Sequence, residues 1–216
     1  MQRSARRYTV ARQAYDILHN MAAGEKGPRE RMIVSTALLV RERGARATSL
    51  DAVLEHSGAP RGSLYHHFPG GREQLLREAM DYAGEYVARR LQRKAAEDPL
   101  AAVDSLLDEY RANLLATEFR AGCPVVAVAI ESGEDGPDLR DDVVGAFDVW
   151  RQVLARGFAA YGIDEARADE LALLVVAGFE GALILSRAYR DLAPLESLRR
   201  EVRNWVEAER AAVEAG

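Results

Sequence analysis

The sequence predicts an all-α protein in two parts, and three observations carry that prediction. Apolar residues recur three and four apart from Pro28 onward, with each run closed by a Gly or Pro signal. Two short runs, Leu50–His56 and Pro60–His67, are separated only by Ser57-Gly58-Ala59, the length of a tight turn between helices. A late run from Asp164 carries Leu171, Leu173, Leu174, Val175, Val176, Phe179, Leu183 and Ile184, which leaves little polar face in the middle of a helix. The expected organisation is an extension over 1–27, a three-helix helix-turn-helix domain over 28–75 and a larger helical domain over 76–216.

The first 27 residues hold Arg3, Arg6, Arg7 and Arg12, with no acid before Asp16. They read either as a basic arm or as a frayed extension with one helical stretch around Val10–Met21. The first domain helix is expected over Pro28–Arg43, with Ile33, Val34, Ala37, Leu38 and Val40 at helical spacing and Gly44 as its stop. Thr48 stands three residues before Asp51, the spacing of a capping box, and predicts a second helix that presents Leu50, Val53 and Leu54 to the core. Gly58 suits the left-handed residue that ends this helix, and Pro60 suits the start of a third because it has no N–H to orphan.

On a helix from Pro60 to His67, Leu64 and Phe68 share one face, while Gly62, Tyr65 and His66 fall on roughly the opposite arc. Alone, such a segment reads as a solvated amphipathic helix. After two further short helices it reads as the recognition helix of a unit that enters the major groove of DNA.

Residues 29 to about 80 resemble the DNA-binding domain of the tetracycline-repressor (TetR) family, through Gly58, Gly62, Leu64, Tyr65, Phe68 and Leu75. Pro69-Gly70-Gly71-Arg72 and Gly122-Cys123-Pro124 further resemble the multidrug-responsive, LmrA-like branch. The resemblance implies that Thr48 and Ser49 contact phosphate at the start of the second helix, where N–H groups are unpaired. Arg61 is the candidate base reader, since its fork matches guanine O6 and N7, with a phosphate clamp as the alternative. Gly62 lets the backbone approach the duplex, Ser63 and His66 touch phosphate or base edges, and Tyr65 and Arg72 are phosphate ligands. His67 is assigned to internal packing. No metal site is expected, because His66 and His67 are adjacent on a helix and diverge.

The net charge of −5 conceals a separation by sign. Residues 1–80 hold 13 Lys and Arg against 8 Asp and Glu, whereas residues 81–216 hold 16 against 26. A basic module neutralises phosphates while an acidic remainder is repelled from the duplex, which orients the approach. The 48% of hydrophobic residues suffices for a core, and the uncharged run Leu171–Phe179 is too short to span a bilayer. A single cysteine, Cys123, forms no internal disulfide, in keeping with a cytoplasmic location. Catalysis lacks its constellations: all four histidines precede residue 68, and Asp141-Asp142 and Glu134-Asp135 are adjacent carboxylates that suit capping or solvent. The chain is therefore read as a regulator that is not an enzyme and needs no cofactor.

Beyond residue 80, helices are expected near 72–95, 99–118, 124–132, 138–160, 164–190 and 195–212, with loop signals at Glu97-Asp98-Pro99, Gly122–Pro124, Gly133–Pro137, Gly162 and Leu192–Pro194. The helix from Asp164 should be buried nearly all round, and Ala177, Gly178, Gly181 and Ala182 would permit a close partner helix. The resemblance implies a homodimer in which 138–160 and 164–190 form a four-helix bundle with their copies. Tyr86, Tyr110, Phe119, Phe147, Trp150 and Phe179 are candidates to line a pocket for a hydrophobic or aromatic effector. Glu118 or Glu180 could supply a charged end, and Arg140 or Arg187 could pair an acid. The leading expectation is a repressor released from a palindromic operator by such an effector, acting on double-stranded DNA and not on a membrane. An activator or a ligand-independent regulator is the alternative, and a carrier or enzyme with a vestigial DNA module is more remote.

Overall fold

A computed structural model describes residues 27–131 and 138–215. The expectations for residues 1–26 and for the loop at 133–137 lie outside the described residues. Within them the chain is helical throughout: α1 Pro28–Arg43, α2 Leu50–Ser57, a 3₁₀ turn Arg61–Ser63 leading into α3 Leu64–His67, α4 Gly71–Ala95, α5 Pro99–Ala116, α6 Pro124–Glu131, α7 Arg140–Ala160, α8 Glu165–Tyr189 and α9 Ala193–Ala215.

Two compact units emerge, and they do not follow a single cut in the chain. One comprises residues 1–83 and 112–144, the other 84–111 and 145–216. Helices α4, α5 and α7 therefore each have residues in both.

In the first unit α1 packs against α2 and α6, and Met32, Val40, Val53, Leu64, Phe68, Leu75 and Met80 are buried. Leu38, Leu50 and Leu54, expected in the core, are half-buried. The Arg31 Nε donates to the Ser57 carbonyl at 3.0 Å, tying α1 to the end of α2, and the Arg29 guanidinium lies 5.4 Å from the Phe68 ring centroid. Gly58 takes the left-handed conformation expected of it, at φ 61°. The Asp142 carboxylate accepts from Arg77, and this bond together with the ion's proximity raises the Arg77 pKa.

In the second unit α8 packs along α9 over a core that includes Leu91, Leu107, Trp150, Phe158, Leu171 and Leu195. Trp150 is buried and satisfies its indole by donating to the Gly84 carbonyl at 2.8 Å. Asp164 caps α8 by accepting from the Ala166 and Arg167 N–H groups. Bonds to Glu170 and then Glu209 raise the Arg167 pKa.

Three features differ in substance from the sequence reading. Helix α5 stops at Ala116 rather than 118, since the Thr117 hydroxyl donates to the Asn113 carbonyl and accepts from the Ala121 N–H. Glu118 and Phe119 then adopt positive φ, at 51° and 62°. The helix expected from Pro60 is a 3₁₀ turn plus one α turn, because Pro60 is extended and its carbonyl accepts from both the Ser63 N–H and the Ser63 hydroxyl.

The third correction concerns α8, which is not buried all round within the chain. Leu171, Ala172, Val175, Phe179, Ala182 and Leu183 face inward, whereas Leu173, Leu174, Ile184 and Leu185 are 57%, 48%, 43% and 44% exposed. Ala177 and Gly181 share that open stripe, while Gly178 sits against Leu198, whose Cδ1 would lie 2.7 Å from an added Cβ. Of the four small residues, Gly178 and Ala182 thus serve packing within the chain. Taken over its whole length rather than over its uncharged run, α8 is long and apolar enough to cross a membrane, with half of its most apolar stretch buried inside the chain.

Candidate nucleic-acid interface

The turn after α1, the start of α2 and the Arg61–His67 segment form the candidate interface in the first unit. Helix α2 is capped by Ser49, whose hydroxyl accepts from the Ala52 N–H at 3.2 Å. Thr48 does not form the expected capping box. It is 2% exposed, and its hydroxyl donates to the Gly44 carbonyl at 2.7 Å, so it shapes the turn and is withdrawn from phosphate. Ser49 is exposed at the N-terminus of α2, the end of a helix that favours an anion.

Leu64 and Phe68 are 1% and 0% exposed, which fixes the segment to the core and turns Arg61, Gly62, Tyr65 and His66 outward. Tyr65 is 67% exposed. No atom would lie within 4 Å of a Cβ at Gly62, so the space in front of that backbone is open. Arg61 forms an exposed ion pair with Asp51 at 3.2 Å. Such a pair is worth about 0–1 kcal/mol and yields readily to a nucleic acid. The Ser63 hydroxyl is committed as a donor to Pro60, leaving it only as an acceptor. His67 is half-buried and meets Phe68 edge-on at 6.4 Å.

Arg72 is the second correction at this surface. Its Nε donates to the Thr48 carbonyl at 3.3 Å and its Nη2 to the Ala45 carbonyl, so the half-buried guanidinium pins the α1–α2 turn instead of gripping phosphate. Arg46, which the sequence reading passed over, is exposed in that turn, three residues before the cap. Its signal was available: a cation just ahead of a capped helix N-terminus.

The aromatic residues proposed for a pocket are dispersed. Trp150 and Phe179 line an apolar cavity of about 20 Å³ in the second unit, with Val87, Leu91, Leu107 and Val176. Tyr110 meets Phe179 edge-to-face at 4.9 Å and Phe147 meets Trp150 at 5.3 Å, both behind the wall. The Tyr86 hydroxyl donates to Glu109, and Phe119 belongs to the other unit. Glu180 is buried on α8 and Glu118 is exposed, while neither they nor Arg140 and Arg187 line the cavity. Among the described residues no group of three or more His, Cys, Asp or Glu side chains is placed to hold a metal, and Cys123 is buried and in no disulfide.

Residues 33–79 match the model for bacterial regulatory proteins of the tetR family, and residues 99–201 match the C-terminal domain of LmrA/YxaF-like transcriptional regulators. The HTH-type transcriptional regulator Rv0196 of Mycobacterium tuberculosis, itself uncharacterized, is 53% identical over 189 residues, covering 85% of this chain and 96% of the relative. The chain belongs to the TetR family. LmrA of Bacillus subtilis is 33% identical over 169 residues, covering 77% of this chain and 90% of its own. A TetR transcriptional regulator from Chloroflexus aurantiacus superposes with a TM-score of 0.66 at 29% identity, over 83% of this chain and 94% of the other. A TetR regulatory protein from Rhodobacter sphaeroides shares the fold at a TM-score of 0.71 and 23% identity, over 79% and 94%. The TetR assignment makes this chain a DNA-binding transcriptional regulator, and Ser49, Arg61, Gly62, Tyr65 and His66 are exposed in its tetR-type N-terminal region.

Arg61 gives that surface a direct test. In the TetR frame Arg61→Ala should cost about 1–3 kcal/mol at one base pair and relax preference there. Competition among single-base operator variants separates this from uniform weakening, which would assign Arg61 to phosphate.

Proposed function

We propose that this regulator is a cytoplasmic homodimeric repressor, released from a palindromic operator by a small hydrophobic effector. One observation carries the reading: α4 begins three residues after Phe68, the inner anchor of the recognition segment, and further along the same helix Val87 and Leu91 line the apolar cavity. A single helix therefore carries both the operator joint and part of the effector wall.

The cavity's size supplies the direction of coupling. At about 20 Å³ it holds roughly one water, whereas ligand sites are commonly about 300–1,000 Å³. An effector has to part α4 from its neighbours to enter, and so binds preferentially to a conformation other than the closed one. Two recognition segments reading successive major grooves need a separation of roughly 34 Å, and a shift of α4 changes it. A coupling of about 1–3 kcal/mol lowers operator affinity about 5- to 150-fold. The open stripe Leu173, Leu174, Ala177, Gly181, Ile184 and Leu185 on α8 supports the homodimer, since an apolar face of that length calls for a partner.

The test begins with in vitro selection of the operator from random duplex DNA. A reporter placed behind the selected sequence should be silenced by the protein and restored by the effector. Increased expression with the protein present establishes the activator instead, and unchanged operator affinity in saturating effector establishes a ligand-independent regulator.

A further inference from the structure

We infer that Glu131, the last residue of α6, is a positioning residue for operator binding that acts through the α1–α2 turn. Its Oε2 accepts from the Arg46 backbone N–H at 2.7 Å, across 85 positions of sequence. Its other oxygen occupies the space beside Gly44, where an added Cβ would stand 1.9 Å from Oε1 and 2.9 Å from Cδ. Gly44 has φ 85°, so both its backbone and its missing side chain admit the carboxylate.

The same short turn is held from the opposite end of its hydrogen-bonding capacity. Arg72, at the start of α4, donates to the Ala45 and Thr48 carbonyls, while Glu131 accepts the Arg46 N–H. The Gly122 N–H donates to the Arg41 carbonyl at 2.9 Å, joining the approach to α6 with the last turn of α1. The turn in turn sets α2: the Thr48 hydroxyl returns to the Gly44 carbonyl, and Ser49 caps the helix. Arg46 is exposed, and its backbone is held in place at that point of the turn. A charge-assisted bond to the backbone is short and directional, which suits it to fixing where these phosphate donors point.

A carboxylate near a DNA-facing turn has an opposing electrostatic effect, since its charge repels phosphate. The two effects predict opposite signs. If positioning dominates, Glu131→Ala lowers affinity for the selected operator about tenfold, the size of one directional hydrogen bond to a charged group. Glu131→Gln, which retains an amide oxygen to accept the Arg46 N–H, restores affinity to within about threefold of the parent chain, as a neutral acceptor holds the same geometry more weakly.

The full-length chain and its variants should be compared by fluorescence anisotropy on the selected operator, with thermal melting recorded for each. Amide hydrogen exchange at Arg46 should speed up in the Ala variant and stay slow in the Gln variant. Operator affinity that is unchanged or raised in both variants overturns the proposal, as does loss to the same extent in both. Should Glu131→Ala lower the melting temperature, Glu131→Asp decides alone. It keeps the charge but is one methylene short of the N–H, so reduced operator affinity at parental stability supports positioning and parental affinity overturns it.

Discussion

Raising salt from 50 to 200 mM should lower operator affinity of the full chain by about 10³–10⁵, the loss that accompanies 6–10 neutralised phosphates. The geometry sharpens the source of those contacts. With Arg72 turned onto the α1–α2 turn and Thr48 buried, the exposed guanidinium groups of the described interface are Arg46 and Arg61. Two per protomer make four per dimer, a number that accounts for a fall of only about 10² over the same interval. A fall of about 10³–10⁵ needs further cations, and Arg3, Arg6, Arg7 and Arg12 are a concentrated supply of charge in the sequence, beside the exposed Arg43 at the end of α1. Removing residues 1–25 should therefore flatten the salt dependence to about 10² while leaving base preference intact. Equal slopes for the full and shortened chains would place the basic N-terminal stretch outside the complex.

Leu174→Glu should convert the proposed homodimer to a monomer and lower operator affinity about 10²–10⁴-fold, the range over which linked half-site binding exceeds single-site binding. Leu174 is 48% exposed within the chain, so a carboxylate there is solvated in the monomer and the fold should persist with near-parental helicity and melting temperature. In a twofold interface the same change buries two like charges, one from each protomer. Sedimentation velocity reads the oligomeric state and a titration on the selected operator reads the affinity. A stable Leu174→Glu dimer would move the twofold contact away from α8.

The recognition segment was legible because its signals are local. Gly58 needs positive φ, and Leu64 and Phe68 are four apart, so burying that pair puts Gly62, Tyr65 and His66 on the solvent arc, whereas Arg61 would share the buried face of a regular helix and is exposed in the 3₁₀ turn that replaces it. The helices of the second half were legible for the same reason, with Asp164 and Gly162 marking one start and one stop. Errors appear where hydrogen-bond partners compete. Thr48 reads as the cap from its spacing to Asp51, and only the Gly44 carbonyl, which receives the Thr48 hydroxyl, leaves that role to Ser49. Arg72 reads as a phosphate ligand until the carbonyls of Ala45 and Thr48 come within its reach.

Composition and periodicity thus determined by themselves that this chain is helical, that its N-terminal part is basic, and which face of the recognition segment meets solvent. Those properties depend on residues within one or two turns of one another, and the TetR resemblance rests on the same local pattern. Tertiary structure alone decided the division into units that share α4, α5 and α7, the half-open state of α8, and the capture of the Gly44–Thr48 turn by Arg72 and Glu131. Each of these depends on groups tens of residues apart. A side chain's destination is set by which distant backbone donor or acceptor lacks a partner, and a pattern of nearest neighbours carries no record of that.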